Sequence, residues 1–183
     1  MRDLIISYVE RLHFNVPGYV YIGLFLLFCI GMVFLVLYGG LKKGLRLSLG
    51  LLLAEYLIWL YCSTFLFRPY KEKLGYDYHP FWSYISIQNG KEDLLAQNIL
   101  NVVVFIPVGL LMVLVFRKIK WWSVLIFGMC ISASIETLQL LFHRGFAETD
   151  DVIHNTLGCM IGYCLVVIVA CVSPIYNKKN ENS

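Results

Sequence analysis

Polar side chains that could do chemistry are concentrated between residues 136 and 155 of an otherwise apolar chain. Glu136 could act as a general acid or base. Arg144 could hold a phosphate or a carboxylate, and Asp150 and Asp151 could bind a divalent cation or a cationic ligand through their oxygen atoms. This segment predicts a catalytic or ligand-binding site. A structural network of hydrogen bonds between helices would use the same residue types and stays open as an alternative.

The elements that must position these residues are apolar segments long enough to cross a membrane. The 183 residues are 59% hydrophobic and 15% charged, with a mean hydropathy of +0.71, whereas soluble domains are nearer a quarter charged. A bilayer is spanned by about 20 predominantly apolar residues. Five segments fit: residues 19–38, 47–67, 98–116, 121–142 and 156–173. We predict an all-α fold, a polytopic transmembrane helix bundle in which residues 1–183 form a single membrane domain.

Basic residues cluster after alternate spans, which predicts how the bundle crosses the membrane. The positive-inside rule places such clusters in the cytoplasm. We therefore expect a multi-pass protein of the bacterial cell membrane with its N-terminus outside and its C-terminus in the cytoplasm. The formal net charge of +3 is too small and too dispersed to indicate a nucleic-acid partner. The clusters are Lys42, Lys43 and Arg46; Arg117, Lys118 and Lys120; and Lys178 and Lys179.

Depth along the predicted helices brings the polar residues together. Glu136 lies six residues, or about 9 Å, inside the outer end of the fourth span, and Asn101 lies about 5 Å inside the third. Gln139 shares a helix face with Glu136, and Asn155 shares one with Asp151 if the last helix begins that early. We therefore predict one pocket open to the outer surface, with Glu136 and Asp151 as catalytic candidates. The predicted substrate-binding residues are Asn101, Gln139, Arg144, Asp150 and Asn155.

A second group of residues is predicted to shape how the helices pack. Pro107 removes a backbone hydrogen-bond donor from the interior of the third span. Gly109 permits the close approach of another helix, and Gly158 and Gly162 form a small-xxx-small spacing with the same effect.

Three further features carry separate expectations. Glu55 should face the bundle and be paired or protonated, because a carboxylate near the midplane costs roughly 2.5–3.5 kcal/mol. Residues 68–97 should lie on the lipid head groups as an interfacial anchor or, alternatively, form a lid over a site at the outer surface. His143 and His154 are expected to be solvated loop histidines, because they lack metal-ligand spacing. The sequence identifies neither a metal nor another cofactor.

Two blocks of the sequence resemble the VanZ-like family of bacterial membrane proteins. In the first, residues 101–109 read N-V-V-V-F-I-P-V-G and fit the family pattern N-x-x-x-F-x-P-x-G. In the second, E-T-L-Q, Arg144 and D-D-V-I-H-N-T-L-G-C-M-I-G fit the pattern E-x-x-Q, R and D-D-x-x-x-N-T-x-G-x-x-x-G. The resemblance covers residues 98–162, and the first two spans match it as hydrophobic segments alone.

The family is named for a protein that confers low-level resistance to the lipoglycopeptide antibiotic teicoplanin. The resemblance implies a role in such resistance, or in cell-envelope maintenance, through a polar pocket at the outer face. Its partners would be the lipid bilayer and a lipid-linked cell-wall precursor or the antibiotic, and a homo-oligomer stays open. The residues also admit a membrane enzyme that uses acid-base or metal-assisted chemistry on a lipid-linked envelope substrate. A transporter or flippase component is a further alternative.

Overall fold

Five long helices and three short elements make up the part of the fold that the structure describes. The structure is a computed structural model that describes residues 16–73 and 75–172. Within these residues, five helices are long and apolar enough to cross a membrane, which confirms the predicted all-α membrane bundle. In chain order the elements are α1 (Gly18–Gly39), α2 (Leu41–Tyr61), β1 (Gly75–Asp77), α3 (Trp82–Gln88), α4 (Asp93–Val115), α5 (Trp121–Leu141), β2 (Phe146–Glu148) and α6 (Thr149–Val172).

The helix α4 begins at Asp93, before the predicted span 98–116, and two other long helices also begin earlier than their predicted spans. Gly40, with a φ of 73°, turns the chain directly after α1, so α2 begins at Leu41 and carries the first basic cluster on its initial turns. Long basic side chains reach water from such a position. At the other early start, α6 includes Asp150 and Asp151 in its first turn, where the positive end of the helix dipole favours carboxylates.

The second span also ends in a distinct way. A π-helical turn, Cys62–Leu66, continues α2 to the level of the next connection. The last basic cluster, Lys178 and Lys179, and the N-terminal residues 1–15 lie outside the described residues. The orientation of the bundle across the membrane therefore stays a prediction.

The contact between α4 and α6 is the most extensive in the bundle. A Cβ atom at Gly109 would overlap the backbone carbonyl of Cys159, and Cβ atoms at Gly158 and Gly162 would overlap backbone carbonyls of α4. Pro107 lies within the same stretch of α4. Because lipid chains are as apolar as the helix surfaces, close van der Waals packing of this kind drives helix association in a membrane.

The remaining long helices surround this pair. The helices α5 and α2 pack against α6 and α4 respectively, and α1 packs against α2. None of the residues of α1 is buried, so this helix lies at the periphery, where many of its apolar side chains are exposed. The buried apolar core between the other helices includes Leu53, Leu60, Phe105, Val108, Val124 and Ile135.

The long connection between α2 and α4 folds over one end of the bundle. Its strand β1 pairs in parallel with β2, with Gly75 opposite Phe146 and Asp77 opposite Glu148. The helix α3 packs against α4. We call this the strand end, and the opposite end, which carries Arg46 and the α4–α5 turn, the basic end. The connection covers the polar residues as in the lid alternative, and it also exposes aromatic rings that suit an interface: Tyr76, Tyr78, Phe81 and Tyr84.

Candidate functional site

A cavity of about 300 Å³ lies at the strand end, between α2, α4, α5 and α6. Such a volume is at the lower end of the range for small-molecule pockets. Six of the seven residues that the sequence analysis places in a pocket line it, and Asp150 does not. The six are Asn101, Glu136, Gln139, Arg144, Asp151 and Asn155.

Glu136 and Gln139 occupy one face of α5 and are fixed by backbone contacts from other elements. One carboxyl oxygen of Glu136, Oε2, accepts a hydrogen bond of 3.0 Å from the backbone N–H of Glu148 in β2. The Nε2 atom of Gln139 donates to the carbonyl oxygen of Thr64 at 3.0 Å. Both side chains are buried. Their positions are therefore set by the strand and by the π-helical turn as well as by their own helix.

Asn155 on α6 faces the same helix at a deeper level. Its Nδ2 atom donates to Oγ of Ser132 at 2.8 Å, and both side chains are buried. The bond joins α5 to α6 beneath the two carboxyl groups. An amide in hydrogen-bonded contact with a neighbouring helix is well suited to hold that pair of helices in register.

Three polar atoms of the cavity residues are buried without a hydrogen-bond partner among residues 16–73 and 75–172. They are Nδ2 of Asn101, Oε1 of Gln139 and Oδ1 of Asp151. Buried polar atoms in native proteins are nearly always paired, and an unpaired one costs about 1–3 kcal/mol. Asn101 also interacts with the carboxyl group of Asp151, so these residues form one polar cluster that a ligand in the cavity can contact.

Three basic residues line the cavity from the connections beyond the ends of the helices: Arg68, Lys71 and Arg144. Arg144 donates from Nη1 to the carbonyl oxygen of Leu66 and, at 3.2 Å, to that of Arg68. It therefore holds the end of α2 in place. Arg68 interacts electrostatically with both Glu136 and Asp151. The sequence analysis did not assign Arg68 or Lys71 to the site, although their position directly after the second span was a signal for it.

Asp150 has a structural place outside the cavity. Its Oδ1 accepts from the backbone N–H of Phe81 at 2.5 Å, and its Oδ2 accepts from the N–H and the hydroxyl of Ser83 at 2.9 and 2.5 Å. Asn98 donates to the same hydroxyl at 3.0 Å. Successive helical residues differ by about 100° in direction, which separates Asp150 from Asp151. The prediction that Asp150 lines the pocket is therefore wrong. Asp150 instead anchors the start of α3.

This placement also bears on metal binding. Asp150 and Asp151 do not share one cavity, so they do not form the predicted pair of oxygen ligands. In the part of the chain that the structure describes, no group of three or more His, Cys, Asp or Glu side chains could hold a metal ion.

The two histidines differ from the expectation of solvated loop residues. His154 is buried on α6, and its Nε2 atom forms a hydrogen bond of 2.8 Å with the hydroxyl of Tyr84 in α3. The expectation is wrong here because α6 begins earlier than the predicted span and α3 covers that face. His143 follows α5 with a φ of 55° and is half-buried, with its ring stacked on Tyr70 at 5.5 Å between ring centroids.

Glu148 is the acidic residue that the sequence analysis did not assign to the site. Its side chain is buried beside the cavity, and its Oε1 accepts from Nε2 of Gln97 at 3.4 Å. Burial, and then the negative charge of Asp151, raise the pKa of Glu148 to about 8. Glu55 is buried in α2, as expected, but lies outside this cavity, and its Oε1 has no hydrogen-bond partner in the described ranges.

The fold and the cavity together define a class of protein: a multi-pass helical membrane protein with a polar cavity at one end of its bundle. The model of the VanZ/LLP1 family matches residues 24–170, and the chain belongs to that family. The match includes most of α1 and all of α2, so it extends well beyond the two motif blocks.

A similar protein is Protein VanZ of Enterococcus faecium, which is 37% identical to this chain over 62 residues. The aligned stretch covers 34% of this chain and 38% of that protein, so it spans well under two thirds of the relative's length. No solved structure matches the chain.

Proposed function

We propose that this chain is a bacterial cell-membrane protein whose cavity binds the head group of an envelope lipid or lipid-linked cell-wall precursor. We further propose that this binding lowers the susceptibility of the cell to lipoglycopeptide antibiotics such as teicoplanin. The observation that carries the proposal is the mixed lining of one cavity by two acids, Glu136 and Asp151, and two basic side chains, Arg68 and Lys71. Family membership supports the link to resistance.

The size of the cavity favours a head group over a complete antibiotic. A volume of about 300 Å³ is at the lower end of the range for small-molecule sites, and a lipoglycopeptide with its sugars and acyl chain is far larger. The lining also includes the apolar side chains of Leu100, Val104 and Ile135, which suit the first carbon atoms of a lipid chain. With the strand end outward, the site would lie at the level of the outer head groups.

The proposal is tested by expressing the chain in a teicoplanin-susceptible bacterium. Wild type should raise the inhibitory concentration of teicoplanin more than that of vancomycin, because vancomycin lacks the acyl chain that brings teicoplanin to the membrane. The variants Glu136→Gln and Asp151→Asn should lose this protection at equal abundance in the membrane. Each change keeps the shape of the side chain and removes its ability to carry a negative charge.

The matched control is Glu55→Gln, which alters a buried carboxyl group outside the cavity. It should retain the protection of the wild type. Full resistance in both cavity variants, or equal protection against the two antibiotics, would contradict the proposal.

A membrane enzyme acting on a lipid-linked substrate is the second candidate. It is favoured by the position of Glu136 and Asp151 in one cavity, where one could donate a proton and the other accept one. Comparison of lipid extracts from the same strains by mass spectrometry separates the candidates. An enzyme would change the amount of a lipid species in the wild-type strain and not in the Glu136→Gln strain. A binding protein would leave the lipid composition of the two strains the same.

A further inference from the structure

We infer that the cavity selects a zwitterionic head group, whose primary ammonium lies among oxygen atoms within the bundle and whose phosphate or carboxylate lies beside the basic residues at the mouth. The inference rests on the proposed function and adds the chemical class of the ligand. It follows from the separation of charge along the cavity.

The inner part of the cavity presents two hydrogen-bond acceptors that lack donors, and one unpaired donor, Nδ2 of Asn101, whose side chain interacts with the carboxyl group of Asp151. Gln139 is 3% exposed, and because its Nε2 donates to Thr64, its unpaired Oε1 is the atom left for a ligand. On α6, Oδ1 of Asp151 is likewise buried and makes no hydrogen bond of normal geometry, although the carboxyl group interacts with the side chains of Gln97 and Asn101. An ammonium group carries three donors and no acceptor, and its hydrogen bonds to a carboxylate are assisted by charge.

The mouth of the cavity presents the opposite charge. Arg68 and Lys71 lie in the connection beyond the π-helical turn, outside the spans. Their side chains make no hydrogen bond or salt bridge to any residue that the structure describes, whereas Arg144 is engaged with backbone carbonyls. Two basic groups near a membrane surface suit the phosphate or carboxylate of a head group.

A ligand that carries only positive or only negative charge would be repelled by one of the two groups of charged residues in the cavity. A simple anion that fills the cavity would approach Glu136 and Asp151, and a simple cation would pass Arg68 and Lys71 on entry. Electrostatic complementarity of this kind determines specificity more than affinity. A quaternary ammonium, as in choline, has no N–H group to donate to Gln139 and Asp151. The chemistry therefore fits a primary amine joined to an acidic group, either on a lipid or in a free molecule.

The test uses the full chain, purified in detergent, and measures ligand binding by native mass spectrometry. The probes are phosphatidylethanolamine, phosphatidylcholine and phosphatidylglycerol with identical short acyl chains, together with soluble O-phosphoethanolamine. The ethanolamine lipid should bind at least about tenfold more tightly than the choline lipid, the loss expected when a hydrogen bond to a charged group is removed. If O-phosphoethanolamine binds as well, the head group alone is the ligand. If it does not bind while the ethanolamine lipid does, the ligand is the lipid.

Two variants connect the preference to the inner oxygen atoms. Asp151→Asn should abolish the preference for ethanolamine over choline. Gly145→Ala should weaken it, because a Cβ atom at Gly145 would overlap Oε1 of Gln139. Arg68→Gln should weaken both zwitterionic lipids without changing their ratio, and Glu55→Gln should change nothing. Because Gly145→Ala leaves every acidic residue in place, it still tests the preference if Asp151→Asn does not fold.

Equal binding of the ethanolamine and choline lipids, or an unchanged preference in folded Asp151→Asn, would overturn the inference. These outcomes leave the resistance role standing, since that role is tested by inhibitory concentrations. Full resistance in Glu136→Gln and Asp151→Asn would remove the proposed function whatever the lipids do.

Discussion

Three acidic side chains close together in sequence have three different surroundings in this protein. Glu148 is buried beside the cavity, Asp150 accepts three hydrogen bonds from the start of α3, and Asp151 faces the cavity with one oxygen unpaired. Their directions differ because the chain changes from strand to helix at Thr149 and each helical step rotates by about 100°. Each acid therefore has a separate consequence when it is replaced.

The buried position of Glu148 predicts a pH dependence of stability. Its pKa is raised from an ordinary value of 4.5 to about 8 by burial and by Asp151, so the folded state retains a proton that the unfolded state releases. Between these two values the folded state binds more protons, and stability falls as pH rises. We expect the unfolding temperature in detergent to decrease from pH 5 to about pH 8 in the wild type and to decrease less in Glu148→Gln.

The control for this prediction is Glu72→Gln, which makes the same change at an exposed side chain of the α2–α4 connection. It should follow the wild-type profile. A profile for Glu148→Gln as steep as that of the wild type would show that another group causes the dependence.

Most residues of the cavity could be predicted from their depth along the helices. The directions in which the side chains point could not. A rise of 1.5 Å per residue places Asn101, Glu136, Gln139 and Asn155 toward the same end of the bundle, and the structure brings them to one cavity. Asp150 and His154 were misplaced because their surroundings depend on α3, whose position against α6 is not encoded in any local pattern. Depth is a property of one helix, whereas direction into a cavity depends on its neighbours.

At the scale of elements, α4 and α6 approach each other through glycine on both sides. A Cβ atom at Gly109 would overlap the rigid backbone carbonyl of Cys159, so relief requires the helices to move apart. We expect Gly109→Ala to destabilise the folded bundle by about 1–3 kcal/mol, the usual cost of overpacking. The measurements are the unfolding temperature in detergent and the amount of protein in the membrane.

The matched control lies on α1, where a Cβ atom at Gly23 would meet nothing within 4 Å. Gly23→Ala should be neutral or slightly stabilising, because alanine favours a helix by roughly 1 kcal/mol over glycine. If both variants were equally stable, the close α4–α6 contact would not contribute to the stability of the bundle.

The long helices were predictable and the short elements were not, for a physical reason. Each span is specified by its own apolar residues, since about 20 of them cross a bilayer without reference to the rest of the chain. The strands β1 and β2 are three residues each and exist through pairing between distant parts of the chain, Gly75 with Phe146. The helix α3 has seven residues and is anchored by Asp150. Such elements depend on tertiary contacts that local sequence does not show.

At the scale of the whole molecule, charge is distributed unequally between the two ends of the bundle. The basic end has Lys42, Lys43, Arg46, Arg117, Lys118 and Lys120 in compact groups, and residues 39–46 and 116–120 contain no acid. The basic residues of the strand end are spread over longer connections and include three that line the cavity, Arg68, Lys71 and Arg144. The compact clusters of the basic end thus suit retention in the cytoplasm, whereas some basic residues of the strand end are placed to bind a ligand.

This asymmetry predicts that the strand end, and with it the cavity, faces outward. In a variant without the native cysteines, a single cysteine introduced by Lys73→Cys or Lys118→Cys reports the two ends, since both positions are exposed. A membrane-impermeant maleimide should label the first in intact cells and the second after lysis, because short basic clusters are retained in the cytoplasm. The reverse pattern would place the cavity at the inner surface, where it could not meet an antibiotic that acts from outside.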